Sequence, residues 1–205
     1  MKDITIFENF INDEELEEAR RFIDTPGITH KGGEVEWDFE PIDNCYKKFI
    51  FDVTDCPMLP PEWVKTGRGG INDLTSYTKK YILKIQNKIE KCTNKKFKLW
   101  RSYLNRQVCG QDVTLHIDDN KYNAYTLLIY IGDITPENYC NTGGDLEFED
   151  ENNMRVEPFT KRAVLFKGYI PHKAYAPLIP GITRISFAIK LLCISEDVPF
   201  IVKYG

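Results

Sequence analysis

Apolar positions change their spacing once along this chain. In the first 94 residues they recur at steps of three and four: Leu16, Ala19, Phe22 and Ile23, then Leu74, Tyr77, Tyr81, Ile85, Ile89 and Cys92. Such steps gather side chains on one face of a helix. Asn12 followed by Asp13, Glu14 and Glu15 marks the start of the first helix, with acids where its dipole favours them, and Pro26-Gly27 stops it. The second helix sets its apolar stripe opposite a Lys-rich face. Between the two, residues 28–70 mix β-like runs such as Cys45 to Val53 with turn signals at Gly32-Gly33, Pro60-Pro61 and Gly67 to Gly70. That stretch reads as a mobile lid or as an irregular edge.

After Asn94 the runs become short, β-branched or aromatic, and are punctuated by Gly, Pro, Asn and Asp. Phe97 to Leu104, Val113 to Asp118, Tyr125 to Ile131, Asp145 to Phe148, Ala163 to Phe166, His172 to Ala176 and Ile182 to Leu192 each read as a strand. Strands at that spacing predict a sandwich or barrel-like β fold rather than alternating β and α units. The expected class is therefore mainly β with N-terminal helices (α+β), residues 1–205 forming one domain. Residues 1–94 would be a helical and lid-supporting region and 95–193 the β core.

Composition narrows the functions open to such a fold. With 205 residues, 42% hydrophobic and 13% aromatic, the chain can bury a sizeable core and is not disordered. No run reaches the roughly 18 apolar residues of a membrane span. The best candidate, Ile185 to Ile194, is interrupted by Lys190, and the first residues lack a signal-peptide core, so a soluble, cytoplasmic protein is expected. Lys plus Arg number 27 against 31 Asp plus Glu, a net charge of −4, which disfavours nucleic acid as a partner. The local run Lys95-Lys96-Phe97-Lys98 reads as a solvated strand start. The six cysteines, at 45, 56, 92, 109, 140 and 193, show no C-x-x-C pair and read as small buried hydrophobes.

The candidate chemistry lies with two of the three histidines, His116 and His172, rather than His30. Residues two apart on a strand share a face, so His116 and Asp118 would look into one cavity while Ile117 looks away. An imidazole and a carboxylate together are two legs of a two-histidine, one-carboxylate Fe(II) site. His172, 54 residues after Asp118, follows Pro171 and opens another strand, so it can supply the third. H-x-D alone is weak, since a structural histidine paired with an aspartate has the same pattern. Arg184 strengthens it. Arg184 and Ser186 share a face of an otherwise apolar strand, a buried arginine needs an anion, and no acidic residue of that strand offers one. An exogenous dicarboxylate would meet that need.

The order His116-x-Asp118, Gly143-Gly144-Asp145-Leu146-Glu147-Phe148, Pro171-His172 and Arg184-x-Ser186 resembles the Fe(II)/2-oxoglutarate-dependent dioxygenases. Within them it is most similar to the prolyl 4-hydroxylase branch, whose usual opening Phe7-Glu8-Asn9-Phe10-Ile11 also resembles. The resemblance implies a double-stranded β-helix (jelly-roll) core with His116, Asp118 and His172 as both metal ligands and catalytic centre. It implies that Arg184 clamps the far carboxylate of 2-oxoglutarate, with Ser186, Tyr130 and the pocket tyrosine Tyr103 beside it. Fe(II), 2-oxoglutarate and O2 are the implied cofactors and co-substrates, and ascorbate is admitted by the same likeness.

The implied reaction hydroxylates a C–H bond, of a prolyl residue in a peptide or protein, and releases succinate and CO2. Many prolyl 4-hydroxylases use lysine where this chain has Arg184, and the His172-to-Arg184 interval is stretched by Pro177, Pro180 and Gly181. A free amino acid, another protein side chain or a nucleobase therefore stays open as substrate, and a silent jelly-roll binding module as a different class. Two further expectations follow. Asp118→Ala would abolish turnover and leave the fold intact, and residues 30–44 would form a lid over a proline-containing peptide, lined by Trp37, Phe39 and Tyr46.

Overall fold

The computed structural model describes residues 3–24, 27–28, 34–35, 38–40, 45–52, 76–149 and 153–195, with only the backbone described between 27 and 52 and at 76–79. Two helices pack on a large antiparallel sheet. The first, α1 (Asp13–Asp24), begins where the sequence predicts. The Glu15 N–H donates to Asn12 Oδ1 at 2.8 Å and the Asn12 N–H to Glu15 Oε2 at 3.0 Å, a reciprocal cap that uses two otherwise unpaired donors. The second, α2 (Ser76–Thr93), buries Tyr81, Ile82, Ile85 and Ile89.

The large sheet runs β1 (Ile4–Phe7), β10 (Ala163–Lys167), β7 (Ala124–Tyr130), β12 (Arg184–Cys193), β6 (Phe97–Gln107), β5 (Cys45–Asp52), β2 (Gly27–Ile28), β3 (Glu34–Val35), with β4 (Asp38–Glu40) paired to β5. A smaller sheet has the order β11 (His172–Ala174), β8 (Leu146–Phe148), β9 (Arg155–Val156). Every pairing is antiparallel. The β-like run expected at Cys45 to Val53 is β5, and it joins the large sheet together with β1 to β4. Of the expected lid, Trp37 and the side chains of Phe39 and Tyr46 lie outside the described residues, as does His30.

The large sheet has two apolar faces, which explains why β7 is buried at every position. Leu127, Ile129, Leu165, Phe187 and Ile189 meet Phe22, Tyr81 and Ile85 of the helices. Leu128, Val164, Phe166 and Ala188 on the other face meet Leu146, Phe148 and Val156 of the small sheet. The site forms between the two sheets.

One irregularity decides what faces it. Lys190 pairs with Arg101 but Leu191 pairs with Leu99, so Trp100 has no partner on β12 and β6 carries a bulge. Phe97 and Leu99 therefore join the helix layer, while Arg101, Tyr103, Asn105 and Gln107 turn to the cavity.

Several expectations are revised. Residues 113–118 form no strand, only an isolated bridge between His116 and His172. The reason is that the N–H groups of Asp118 and Asp119 both go to the Gly168 carbonyl, at 2.8 and 3.0 Å, which bends the chain away from a ladder. A side chain at Gly168 would sit 3.1 Å from Asp119 Cβ, so only glycine lets the two segments approach this closely. Of the described cysteines only Cys193 is buried; Cys92, Cys109 and Cys140 are exposed, because Cys92 ends its helix and the other two lie outside the packed strands. A third helix, α3 (Pro136–Thr142), and β9 were not anticipated. The signal for α3 was present: Pro136 opens it, and Asn138 Oδ1 accepts from the Thr135 N–H at 2.8 Å. Among the described residues no helix is long and apolar enough to cross a membrane.

Candidate metal centre and anion pocket

His172 is placed by β11 and His116 by the extended segment beside it. Each backbone N–H donates to the other's carbonyl, His116 to His172 at 3.0 Å and His172 to His116 at 2.9 Å. Their rings lie 4.5 Å apart, and Phe166 meets the His172 ring edge-on at 4.7 Å. Asp118 completes the group, and the ligand atoms of the three residues lie within 4.8 Å of one another. Ile117, expected to face away, also lines the cavity, at its exposed rim.

The donor chemistry fits a divalent cation. Nδ1 of His116 lies 2.8 Å from the Thr114 carbonyl and Nδ1 of His172 lies 2.9 Å from the Ile170 carbonyl. A carbonyl can only accept, so each Nδ1 carries the proton and each Nε2 keeps its lone pair for the cation. Nε2 of His116 is 3.7 Å from Asp118 Oδ1, and Nε2 of His172 is 3.6 Å from Asp118 Oδ2. Burial lowers the His172 pKa to about 4 despite the nearby Asp118, which keeps the ring neutral. Burial would raise the Asp118 carboxyl, but the Lys190 ammonium holds it well below the usual range.

Those shifts set the acid sensitivity of the metal-free protein. Between pH 6.5 and about 4 the unfolded chain protonates His172 while the folded chain does not, so stability falls as the pH falls. The loss expected at pH 4 is about 3 kcal/mol. Asp118, with its lowered pKa, adds stability above the unfolded value near 4 that is lost at still lower pH. Denaturant unfolding of chelator-treated protein should show this slope, and His172→Gln should flatten it. A wild-type profile already flat between pH 7 and 5 would contradict the assignment.

A cavity of about 260 Å³ joins the histidines to Arg184, which is 2% exposed. Arg184 Nε donates to the Gly144 carbonyl at 2.9 Å, Nη1 to Gln107 Oε1 at 2.6 Å, and Nη2 reaches Tyr130 Oη at 3.4 Å. Gly144 has φ +98°, a conformation that favours glycine, and its carbonyl is the one on Arg184 Nε, so the Gly143-Gly144 turn does bring backbone against the pocket. Among the described residues no carboxylate pairs with Arg184. Ser186 is fully buried beside it in register with Tyr130, and its Oγ has no hydrogen-bond partner. Burial raises the Tyr130 phenol, although Arg184 opposes this, so it stays a donor. Tyr103 lines the same cavity, nearer Lys190 than Arg184.

Sequence reasoning missed three residues here: Gln107, Thr126 and Lys190. Their signal was parity, since Lys190 is six residues after Arg184 and shares its face, while Thr126 precedes Tyr130 by four.

No protein-family model and no curated protein sequence matches the chain. Solved structures do share its fold, and several are prolyl hydroxylases or 2-oxoglutarate-Fe(II) oxygenases. A Pseudomonas putida prolyl-4-hydroxylase aligns at 14% identity with a TM-score of 0.57, covering 93% of this chain and 92% of its own. A Trichoplax adhaerens prolyl hydroxylase, solved with a peptide fragment of the hypoxia inducible factor oxygen degradation domain, aligns at 17% identity and TM-score 0.59, covering 96% and 89%. HygX from Streptomyces hygroscopicus, solved with nickel, 2-oxoglutarate and hygromycin B, aligns at 11% identity and TM-score 0.55, covering 96% and 85%. At these identities the likeness is one of fold.

Proposed function

We propose that this chain is an Fe(II)- and 2-oxoglutarate-dependent dioxygenase with a jelly-roll core, hydroxylating a C–H bond of a prolyl residue in a peptide or protein. The observation that carries the reading is one cavity holding both a two-histidine, one-carboxylate cluster and a buried arginine that pairs with no carboxylate among the described residues. His116, Asp118 and His172 would hold the metal, and Arg184 with Tyr130 and Ser186 would hold the far carboxylate of 2-oxoglutarate. When bound, these two groups supply the oxidation of the C–H bond by O2, yielding succinate and CO2.

The chain's own part is placement. The backbone bonds between His116 and His172 fix the two imidazoles, and their Nδ1–H groups keep both Nε2 atoms unprotonated. Gln107 and the Gly144 carbonyl hold the guanidinium plane, leaving N–H groups for a carboxylate in the pocket. Leu128, Phe166 and Ala188 give the cavity an apolar wall between the two ends.

The prolyl reading is supported by the fold neighbours that act on proline. A small polar substrate is favoured by a separate observation: Arg101, Asn105 and Lys190 line the same cavity, and the fold neighbour HygX was solved with hygromycin B. Succinate formation by iron-loaded protein distinguishes them. Proline-containing peptides should stimulate it at least tenfold over the uncoupled rate. Stimulation by free amino acids or other small polar molecules instead would select the second reading, and no succinate with any of them would remove the dioxygenase proposal.

A further inference from the structure

Lys190 is not a metal ligand, yet it is the most constrained side chain beside the proposed metal. Its side chain is 12% exposed and its ammonium forms an ion pair with Asp118 Oδ2. It also donates to Thr126 Oγ1 at 3.0 Å and to the Tyr103 hydroxyl. These are three partners for three N–H groups, and neither imidazole is among them. Thr126 in turn donates its hydroxyl to the same Oδ2 at 2.6 Å.

Asp118 needs this help because of where it sits. It belongs to a segment with no ladder of its own, held near the residue by the Asp118 and Asp119 N–H groups on the Gly168 carbonyl. Those bonds fix the Cα but leave the carboxylate free to turn. Lys190 and Thr126, by contrast, stand on adjacent strands, directly paired in register. They grip Oδ2, which also lies 3.6 Å from His172 Nε2, from a rigid floor, and leave Oδ1, 3.7 Å from His116 Nε2, outside that grip.

We infer that Lys190, together with Thr126, is a positioning residue that makes Asp118 offer a single oxygen to a divalent cation held with His116 and His172. A carboxylate free to chelate through both oxygens would occupy two coordination positions, one of which 2-oxoglutarate or O2 requires. This inference rests on the metal-site reading above.

A counter-charge and an aiming device predict opposite effects. If Lys190 acted only through its charge, removing it would relieve repulsion and tighten binding of a dication. If it aims Asp118, removing it weakens binding. Mn(II) titration of the full chain, followed by the loss of the free-ion electron paramagnetic resonance signal, reads the difference. Wild type should bind one Mn(II) and His172→Ala should not. Lys190→Met and Thr126→Val should each bind about 10- to 100-fold more weakly. Thr126→Ser, which keeps the hydroxyl, should stay close to wild type. Thr126→Val changes no charge, so it decides the matter even if Lys190→Met fails to fold. Wild-type or tighter affinity in Thr126→Val would overturn the inference. Equal Mn(II) binding by wild type and His172→Ala would instead overturn the metal-site reading on which it stands.

Discussion

Asp118→Ala is expected to cost the metal-free protein about 3–5 kcal/mol of folding stability, besides abolishing turnover. The reason is Lys190. Its ammonium is buried against Asp118, Thr126 and Tyr103, and only Asp118 carries a compensating charge. Removing that carboxylate leaves a cation in a cavity walled by Phe166, Leu128 and Ala188. The sequence alone suggested that this substitution would spare the fold, since nothing in it places Lys190 beside Asp118. Urea unfolding tests the revision through a double-mutant cycle. Asp118→Ala/Lys190→Met should recover most of the lost stability, since two apolar groups replace the pair. A single variant within about 1 kcal/mol of wild type would show that the pair contributes little. Activity tests of the metal site are better made with Asp118→Asn, which keeps the shape.

Arg184→Ala is expected to weaken 2-oxoglutarate binding by about 1.5–3 kcal/mol, or roughly 10- to 150-fold, the worth of a hydrogen bond to a charged group. The guanidinium is held on three sides by Gln107, Tyr130 and the Gly144 carbonyl, so its remaining N–H groups are already oriented. Calorimetry on Mn(II)-loaded protein measures the loss. Mn(II) affinity should change far less, because the arginine lies at the opposite end of the cavity from Asp118 and Lys190. Unchanged 2-oxoglutarate affinity would make Arg184 a structural residue whose charge is satisfied by Gln107 and the backbone.

Much of this was legible in the chain because it depends on short-range periodicity. The steps of Leu16, Ala19 and Phe22 and of Tyr81, Ile85 and Ile89 set two helices, and a reciprocal cap at Asn12 and Glu15 confirms the first. The candidate ligands His116, Asp118 and His172 and the arginine stood out because polar residues are costly in apolar surroundings. What was not legible depends on partners distant in sequence. Nothing near Asp118 announces that Gly168 will take two of its neighbourhood's N–H groups, so the segment read as a strand. Lys190 is interpretable only once β12 is known to lie beside β7, which puts its amine against Thr126. Cysteine burial was misjudged for a similar reason, since exposure follows from placement and not from residue type: Cys109 lies beyond the end of β6 and Cys140 on the short helix α3.

The unpaired Trp100 carries a consequence for how this strand tolerates change in length. Lys190 and its partner Arg101 face the cavity, and the next pair, Leu191 and Leu99, faces the helix layer, so β6 alternates regularly once residue 100 is left out. Deleting residue 100 would therefore remove the bulge and leave Phe97, Leu99, Arg101 and Gln107 on their present sides. Straightening the strand with residue 100 kept would do the opposite. Held by β12 from Arg101 onward, β6 would send Lys98 into the layer occupied by the helices and turn Phe97 and Leu99 toward the cavity. In this stretch of the protein, losing the extra residue disturbs the chemistry less than forcing it into the ladder.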